Sequence, residues 1–462
     1  MSLRARLGPY LDVFRLTWPI ALGMANNALM QFVDRVFLSQ ESTASLEAVL
    51  PASVFAGVFI CLFQAVVAYS GTFVAQYFGA GSERGCRMSY HAGLVLSCVF
   101  GLVLLLLVPP GLLVFDWVGH SPEVIVREKT YYAIVTAGGF ATCALMAANG
   151  FFTGKGRTRI VFWVNLLGNA LNVLLDYVLI FGVDVPSCGM AVPSFGIAGA
   201  AWATVLAQGV QMVVLNAIAL RETLGGIDGR RGSGDESSGL FRLTLRILRY
   251  GIPSGMQSML NILSFLVFVF LTGKVGDMAF AVSNAAFTVN YLLIAPIEGF
   301  AIGAGVLVGQ RQGAGDPQGA FASGNRALVL AEAYVAAVTA IILVFRHPIL
   351  ALFAGDIPAG DLPDFMALGS ALFVMMVVWQ FCDAADVVLS GALKGAGDTR
   401  FVMVWMLIMA FPFWMPILFL TYWIHPTMEA LWGTMIVYVF VFFAGTLLRW
   451  IRGPWRSLRL IA

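Results

Sequence analysis

The sequence predicts an all-α polytopic membrane protein of twelve transmembrane helices, arranged as two parallel six-helix repeats. Three observations carry that expectation. The 462 residues are 60% hydrophobic and only 11% charged, where a soluble domain is about 25% charged. Windows of roughly 20 apolar residues, enough to cross about 30 Å of hydrocarbon at 1.5 Å per residue, recur along the whole chain. The second half of the sequence also repeats the first.

The spans run 13–39, 47–73, 89–110, 130–151, 160–182, 197–219, 248–272, 279–305, 322–346, 368–391, 400–423 and 428–449. The opening MSLRARLGPYLDVFRLTW runs into the first span without a small-residue cleavage site, so that helix is expected to stay. With a cytoplasmic N-terminus, 22 of the 27 Lys and Arg residues fall on the cytoplasmic side. Only Arg35, Arg127, Lys129, Lys274 and Arg346 fall opposite. This bias predicts a cell (inner) membrane protein with both termini cytoplasmic. The six cysteines (Cys61, Cys86, Cys98, Cys143, Cys188, Cys382) have no CxxC or other metal-ligand spacing, and are expected to be small core residues.

The longest polar stretch, RETLGGIDGRRGSGDESSGLFR at 221–242, reads as a flexible cytoplasmic linker. The expected organisation is an N-terminal lobe at 1–222, a linker at 223–246 and a C-terminal lobe at 247–462. A slide of 234 residues puts Pro19 on Pro253, Asn27 on Asn261, Gly71 on Gly305 and QYFGAG on QRQGAG. A slide of 241 puts GKGRTR (154–159) on GAGDTR (395–400). Each half holds an even number of spans, so both enter from the same side. Such repeats flank a cavity along the membrane normal, which is a transporter architecture. Prolines 19, 253, 296, 412 and 416 lie inside spans, where they kink helices as hinges or as packing features.

An ionisable residue inside the bilayer costs roughly 2.5–3.5 kcal/mol even on lenient scales, so each is a functional candidate. In the fifth span, Asn165, Asn169, Asn172 and Asp176 are spaced 0, 4, 7 and 11 and share one helix face. Counted from the helix ends, Asp34, Asp176 and Thr204 lie at similar depth, with Asn172 one turn deeper. These four are the candidate cation-coupling site and, if Na+ is the coupling ion, its oxygen ligands. Shifted by 241 the fifth-span stripe lands on Met406, Ala410, Phe413 and Ile417, and shifted by 234 Asp34 lands on Phe268. A stripe needed only for packing would tend to recur. The second half carries its own acidic set, Glu298, Asp383 and Asp386, with Asn261 near it.

These residues resemble the multidrug and toxic compound extrusion family. The resemblance rests on FVDRVFLSQ in the first span, NVLLDYVLIFG in the fifth, GIAGAAWATV opening the sixth and GALKGAGDTR after the tenth. It implies a V-shaped pair of lobes exporting a small organic substrate in exchange for inward Na+ or H+. It also implies a cation-responsive site in the N-terminal lobe, matched at Asp34, Asn172, Asp176 and Thr204. In the C-terminal lobe the helix-ten acid is matched by Asp383, whereas helix seven has Asn261 where some members have an acid. The substrate pathway is expected to be lined by Glu298, Asp383, Asn261, Met256, Met259 and Trp379, since Met and aromatic faces accept apolar cations and a carboxylate selects positive charge.

The alternative is a lipid-linked oligosaccharide flippase of a related superfamily, which would need several cavity Arg or Lys residues for pyrophosphate. The basic residues in or near the spans sit at their ends. An enzyme is not expected, because His91, His120, His347 and His425 are isolated and no nucleophile and base pair up. The expected partners are a small organic molecule and the lipid bilayer, with no nucleic acid and no cofactor beyond the coupling ion. A monomer is the expected state.

Overall fold

The computed structural model describes residues 3–117, 119–185, 190–224, 235–355, 357–358 and 360–461. Cys188 and the centre of the expected linker, residues 225–234, lie outside the described residues.

The chain is almost wholly helical. Its first part comprises α1 (Leu3–Glu41), α2 (Thr43–Ala68), α3 (Ser70–Gly79), α4 (Glu83–Val114), α5 (Pro122–Ala137), α6 (Gly139–Gly154), α7 (Thr158–Phe181) and α8 (Ile197–Leu224). The second comprises α9 (Asp235–Thr272), α10 (Asp277–Gly313), α11 (Pro317–Val344), α12 (Arg346–Ala351), α13 (Leu362–Ala396), α14 (Thr399–Ile408), α15 (Met415–Ile424) and α16 (Met428–Arg452). Two strands absent from the sequence reading, β1 (Val183–Val185) and β2 (Met190–Val192), form an antiparallel hairpin between α7 and α8.

Among the described residues, eleven helical segments are long and apolar enough to cross a membrane. The first expected span, within α1, is not one of them. It is a helix of 39 residues, but Pro19, Asn26, Asn27 and the charged residues along it lower its mean hydropathy. Pro412 lies in a π-helical turn, Met409–Trp414, between α14 and α15. The ring cannot donate to the preceding turn, and the ladder widens there.

Short polar residues start the helices. The hydroxyls of Ser42 and Ser82 accept from the backbone N–H groups of Ser45 and Gly85 at 3.1 and 3.2 Å, and the Asp316 carboxylate accepts from Gly319 at 2.8 Å. These are N-caps satisfying otherwise orphaned donors.

The repeat has a steric cause. Gly81 (φ 71°) and Gly315 (φ 74°) occupy equivalent left-handed turns, as do Gly156 (φ 77°) and Gly397 (φ 101°). Only glycine enters that region without strain. At one helix crossing, a Cβ on Gly154 would lie 2.7 Å from the Gly71 carbonyl oxygen, and one on Gly71 would lie 2.7 Å from the Gly150 Cα. The second repeat rebuilds this crossing with Gly305, Gly391 and Gly395, where a Cβ on Gly395 would lie 2.1 Å from the Gly305 oxygen. Both slides read from the sequence therefore superpose the same three-glycine contact. Gly395→Val and Gly154→Val are each expected to abolish monodisperse protein in size-exclusion chromatography. Gly209→Ala, with nothing within 4 Å of its added Cβ, should leave the profile unchanged.

Two compact units follow from the contacts, Met1–Met24 with Met256–Leu460, and Ala25–Gly255. Their boundaries differ from the expected lobes, because α1 and α9 are single continuous helices that each begin in one unit and continue in the other. Helix α9 starts at Asp235, inside the stretch read as linker. The core of the first unit is built on tryptophans whose N–H groups are satisfied. Trp414 donates to Thr434, Trp432 to Ser283 and Trp450 to Asn325, at 3.1, 3.0 and 2.8 Å.

Candidate cation site and acidic recess

In the unit Ala25–Gly255, α1 and α7 present polar stripes with matching spacing. Asn27 and Asp34 are seven apart on α1, and Asn169 and Asp176 are seven apart on α7. Seven residues are close to two helical turns, so one pairing fixes the other. Asn169 Nδ2 donates to Asn27 Oδ1 at 3.0 Å. Two turns on, the Asp34 and Asp176 carboxyl groups are close enough to share a hydrogen bond. Asn172 sits between them. With its amide nitrogen turned to the acids, it lies 3.2 Å from Asp34 Oδ1 and 3.3 Å from Asp176 Oδ2. Asn172 and Asp176 are fully buried. One oxygen of Asp176, Oδ1, has no protein partner.

Two ionised carboxylates at this separation in a low-dielectric bundle repel strongly, an arrangement that a shared proton or a bound cation would relieve. Arg35, the neighbour of Asp34 in sequence, has an exposed side chain. Tyr131 from α5 stands within electrostatic reach of both acids. Phe37, Tyr177 and Phe181 pack edge-on towards the C-terminal ends of α1 and α7.

The site continues into a cavity of about 140 Å³ lined by amides and hydroxyls, among them Gln31, Gln64, Thr142, Asn149, Asn165, Asn172, Thr204, Gln208 and Gln211. Gln211 crosses α7 at Gly168, where a Cβ would lie 2.0 Å from its Nε2, and donates to Asn169 Oδ1 at 3.2 Å. Thr142 Oγ1 donates to Gln208 Oε1 at 2.6 Å. Thr204 belongs to this wall rather than to the carboxylates, since its hydroxyl donates to the Ala200 carbonyl at 3.1 Å. The structure thus joins Asp34, Asn172 and Asp176 directly and Thr204 through the cavity. Replacing Asn172 by Leu removes both bridging hydrogen bonds. It should cost about 1–3 kcal/mol, read as a lowered unfolding temperature of the purified protein.

In the other unit, α13 carries Asp383, Asp386, Ser390 and Lys394 at offsets of 0, 3, 7 and 11, one helix face. Glu298 of α10 is within electrostatic reach of Asp383 and Lys394. Among the remaining expected lining residues, Glu298 and Asn261 are exposed and Asp383, Met256 and Met259 are half-buried. Trp379 differs. It is 1% exposed and packs on Trp432 at a ring separation of 4.9 Å, which places it in the core of its unit. Lys394 lies three residues beyond the expected tenth span, yet α13 extends to Ala396 and holds it half-buried, with Nζ donating to Gln257 Oε1 at 3.2 Å.

A duplicated bundle of membrane-spanning helices with carboxylates inside it defines a multi-pass membrane transporter. The chain belongs to the MatE family, whose model matches residues 19–178 and 253–420. It is 27% identical over 453 residues to a probable multidrug resistance protein NorM of Chromobacterium violaceum, covering 94% of this chain and 91% of that one. It is 26% identical over 432 residues to the multidrug resistance protein PmpM of Pseudomonas aeruginosa, covering 90% and 83%. An outward-facing structure of a multidrug resistance MATE family transporter of the MOP superfamily has the same fold, with a TM-score of 0.81 and 21% identity over 96% and 95% of the two chains.

Proposed function

We propose that this protein is a secondary active antiporter, exporting drug-like cationic or amphipathic organic compounds in exchange for inward H+ or Na+. The observation that carries the reading is the buried Asp34–Asn172–Asp176 contact, an anionic pair that is stable only with a cation or proton bound. Its relatives are named multidrug resistance proteins, which supports drug-like substrates. Carboxylate, amide and hydroxyl oxygens also suit Na+. Coupling follows if the two access states of the carrier differ in their affinity for that cation.

Glu298 and Asp383 bind the positive charge of the substrate in this reading, with Met256 and Met259 offering adaptable apolar contact. The positive-inside bias supports cytoplasmic termini in the inner membrane, and a single chain holds every residue invoked. The flippase alternative gains little, since among the described residues Lys394 is the basic side chain within electrostatic reach of Glu298 and Asp386. The test is the purified protein in vesicles with a fluorescent organic cation outside and imposed gradients of Na+ or pH. One of the two gradients should drive accumulation. Accumulation under neither would overturn the reading.

A further inference from the structure

The sequence leaves His120 isolated, but the fold gives it a partner. It stands in the connection between α4 and α5, on the side opposite the expected cytoplasmic termini, and its Nδ1 lies 2.8 Å from Oε1 of Glu128. The imidazole is 38% exposed, whereas the carboxylate is fully buried. The second oxygen of Glu128, Oε2, is buried without a hydrogen-bond partner. The other titratable groups at this end of α5 and its neighbours are engaged or exposed. Arg127 pairs with Glu123, and Lys129 with Asp116 of the short helical turn Phe115–Trp117. Tyr132 donates to the Leu107 carbonyl, Glu41 of α1 accepts from Ser42, and Glu47 of α2 is exposed. His120 and Glu128 thus join a surface group directly to an interior one.

Spacing turns Glu128 inward. Val124, Glu128 and Tyr131, at offsets of 0, 4 and 7, share one face of α5. Val124 and Tyr131 pack in one apolar cluster with Leu38 of α1, Ala48 and Val49 of α2, Ile180 of α7 and Ile197 of α8. Leu38 is one turn beyond Asp34, and Ile180 is one turn beyond Asp176. The face that carries Glu128 is therefore packed against the turns that follow the acid pair, and Tyr131 is within electrostatic reach of both acids. The ends of α1 and α7 themselves are covered by the packed rings of Phe37, Tyr177 and Phe181. An apolar side chain at position 128 would fill this cluster without the cost of burying a carboxylate.

We propose that His120 and Glu128 are the external entry of protons to the Asp34–Asp176 pair, with Tyr131 as the intervening carrier. This rests on the reading of that pair as the coupling site, and it names H+ as the ion. An external proton binds Nε2 of His120, and the imidazolium releases its Nδ1 proton to Oε1 of Glu128. Rotation of the protonated carboxyl presents that proton to the interior. The Tyr131 oxygen accepts it and passes the phenol's own proton to the aspartate pair. One proton leaves the solvent and one reaches the pair, while each relay group returns to its starting charge. Histidine is a common proton shuttle at physiological pH, which suits the half-exposed outer position.

The test is the initial rate of uptake of a fluorescent organic cation into vesicles under an imposed pH gradient, beside equilibrium binding of the same cation. His120→Ala should slow uptake by more than about tenfold and leave binding within a few-fold of native. Free imidazole, added at a concentration that leaves the gradient intact by a lumenal pH dye, should restore the rate, which it would not do for a merely structural histidine. Glu128→Gln should slow uptake equally and gain nothing from imidazole. Should Glu128→Gln not fold, Tyr131→Phe, which removes only the hydroxyl, must show the same slowing. A native rate in either folded variant, slowing of His120→Ala that imidazole does not reverse, or native uptake driven by Na+ alone would each overturn the relay. An Asp34→Asn/Asp176→Asn protein separates the two levels. If it keeps native driven uptake, the coupling-site reading is wrong. If it loses uptake while His120→Ala keeps the native rate, the relay alone is wrong.

Discussion

Asp176→Asn is expected to yield a folded protein that binds its organic cation but no longer lowers the cellular content of a fluorescent cationic dye. The amide keeps the shape of the carboxyl and can still hydrogen-bond Asn172, so packing survives. What disappears is the second negative charge beside Asp34, and with it the need for a proton or Na+. Without cation-dependent energetics the two access states respond equally to the gradient, and export stops. Asp34→Asn should do the same, because the two carboxyl groups act on each other as one pair. Dye accumulation in cells, with surface expression measured in parallel, reads the effect. Near-normal export by either variant would show that a single carboxylate suffices.

The second large effect is expected from Glu298→Gln combined with Asp383→Asn. Both acids belong to one unit and act on each other electrostatically, so one neutral replacement leaves a carboxylate for the substrate cation. The double replacement removes both, leaving the buried Asp386 within electrostatic reach of Lys394. Transport of a permanently charged organic cation should fall to background, with the N-terminal pair untouched. Initial rates in vesicles check this, and undiminished cation transport would exclude these acids from the pathway.

The duplicated fold was legible because its cause is local and steric. Glycines at left-handed turns and at the helix crossing cannot be exchanged, so they stand out at matching positions in both halves, 234 apart early in the repeat and 241 apart later. The contact of Asp34 with Asp176 was legible for a related reason, since polar residues at helical spacing in an apolar span have few places to go. The partnership of Asn27 with Asn169 was not drawn. Asn27 had served only as a marker of the repeat, although its distance from Asp34 matches that of Asn169 from Asp176.

The misjudged residues share a different cause. Lys394 lies three residues past the expected tenth span, 368–391, whereas α13 runs on to Ala396. Trp379 looked like a binding aromatic because residue type does not reveal which helix face meets a neighbour; Trp432, more than fifty residues on, decides that. Depth counting set Thr204 level with the acids. It could not foresee that the hydroxyl would satisfy the carbonyl one turn back, at Ala200. The unit boundaries within α1 and α9 leave no mark in composition, because a helix can pass between packing environments without a break.

We propose that the Asp34–Asp176 pair converts a cation gradient into export. The most direct measurement sets gradient-driven uptake in vesicles beside equilibrium substrate binding for the Asp34→Asn/Asp176→Asn protein. Binding within a few-fold of native with uptake at the level of empty vesicles is the predicted result. Driven uptake at the native rate by the correctly inserted double variant would contradict it.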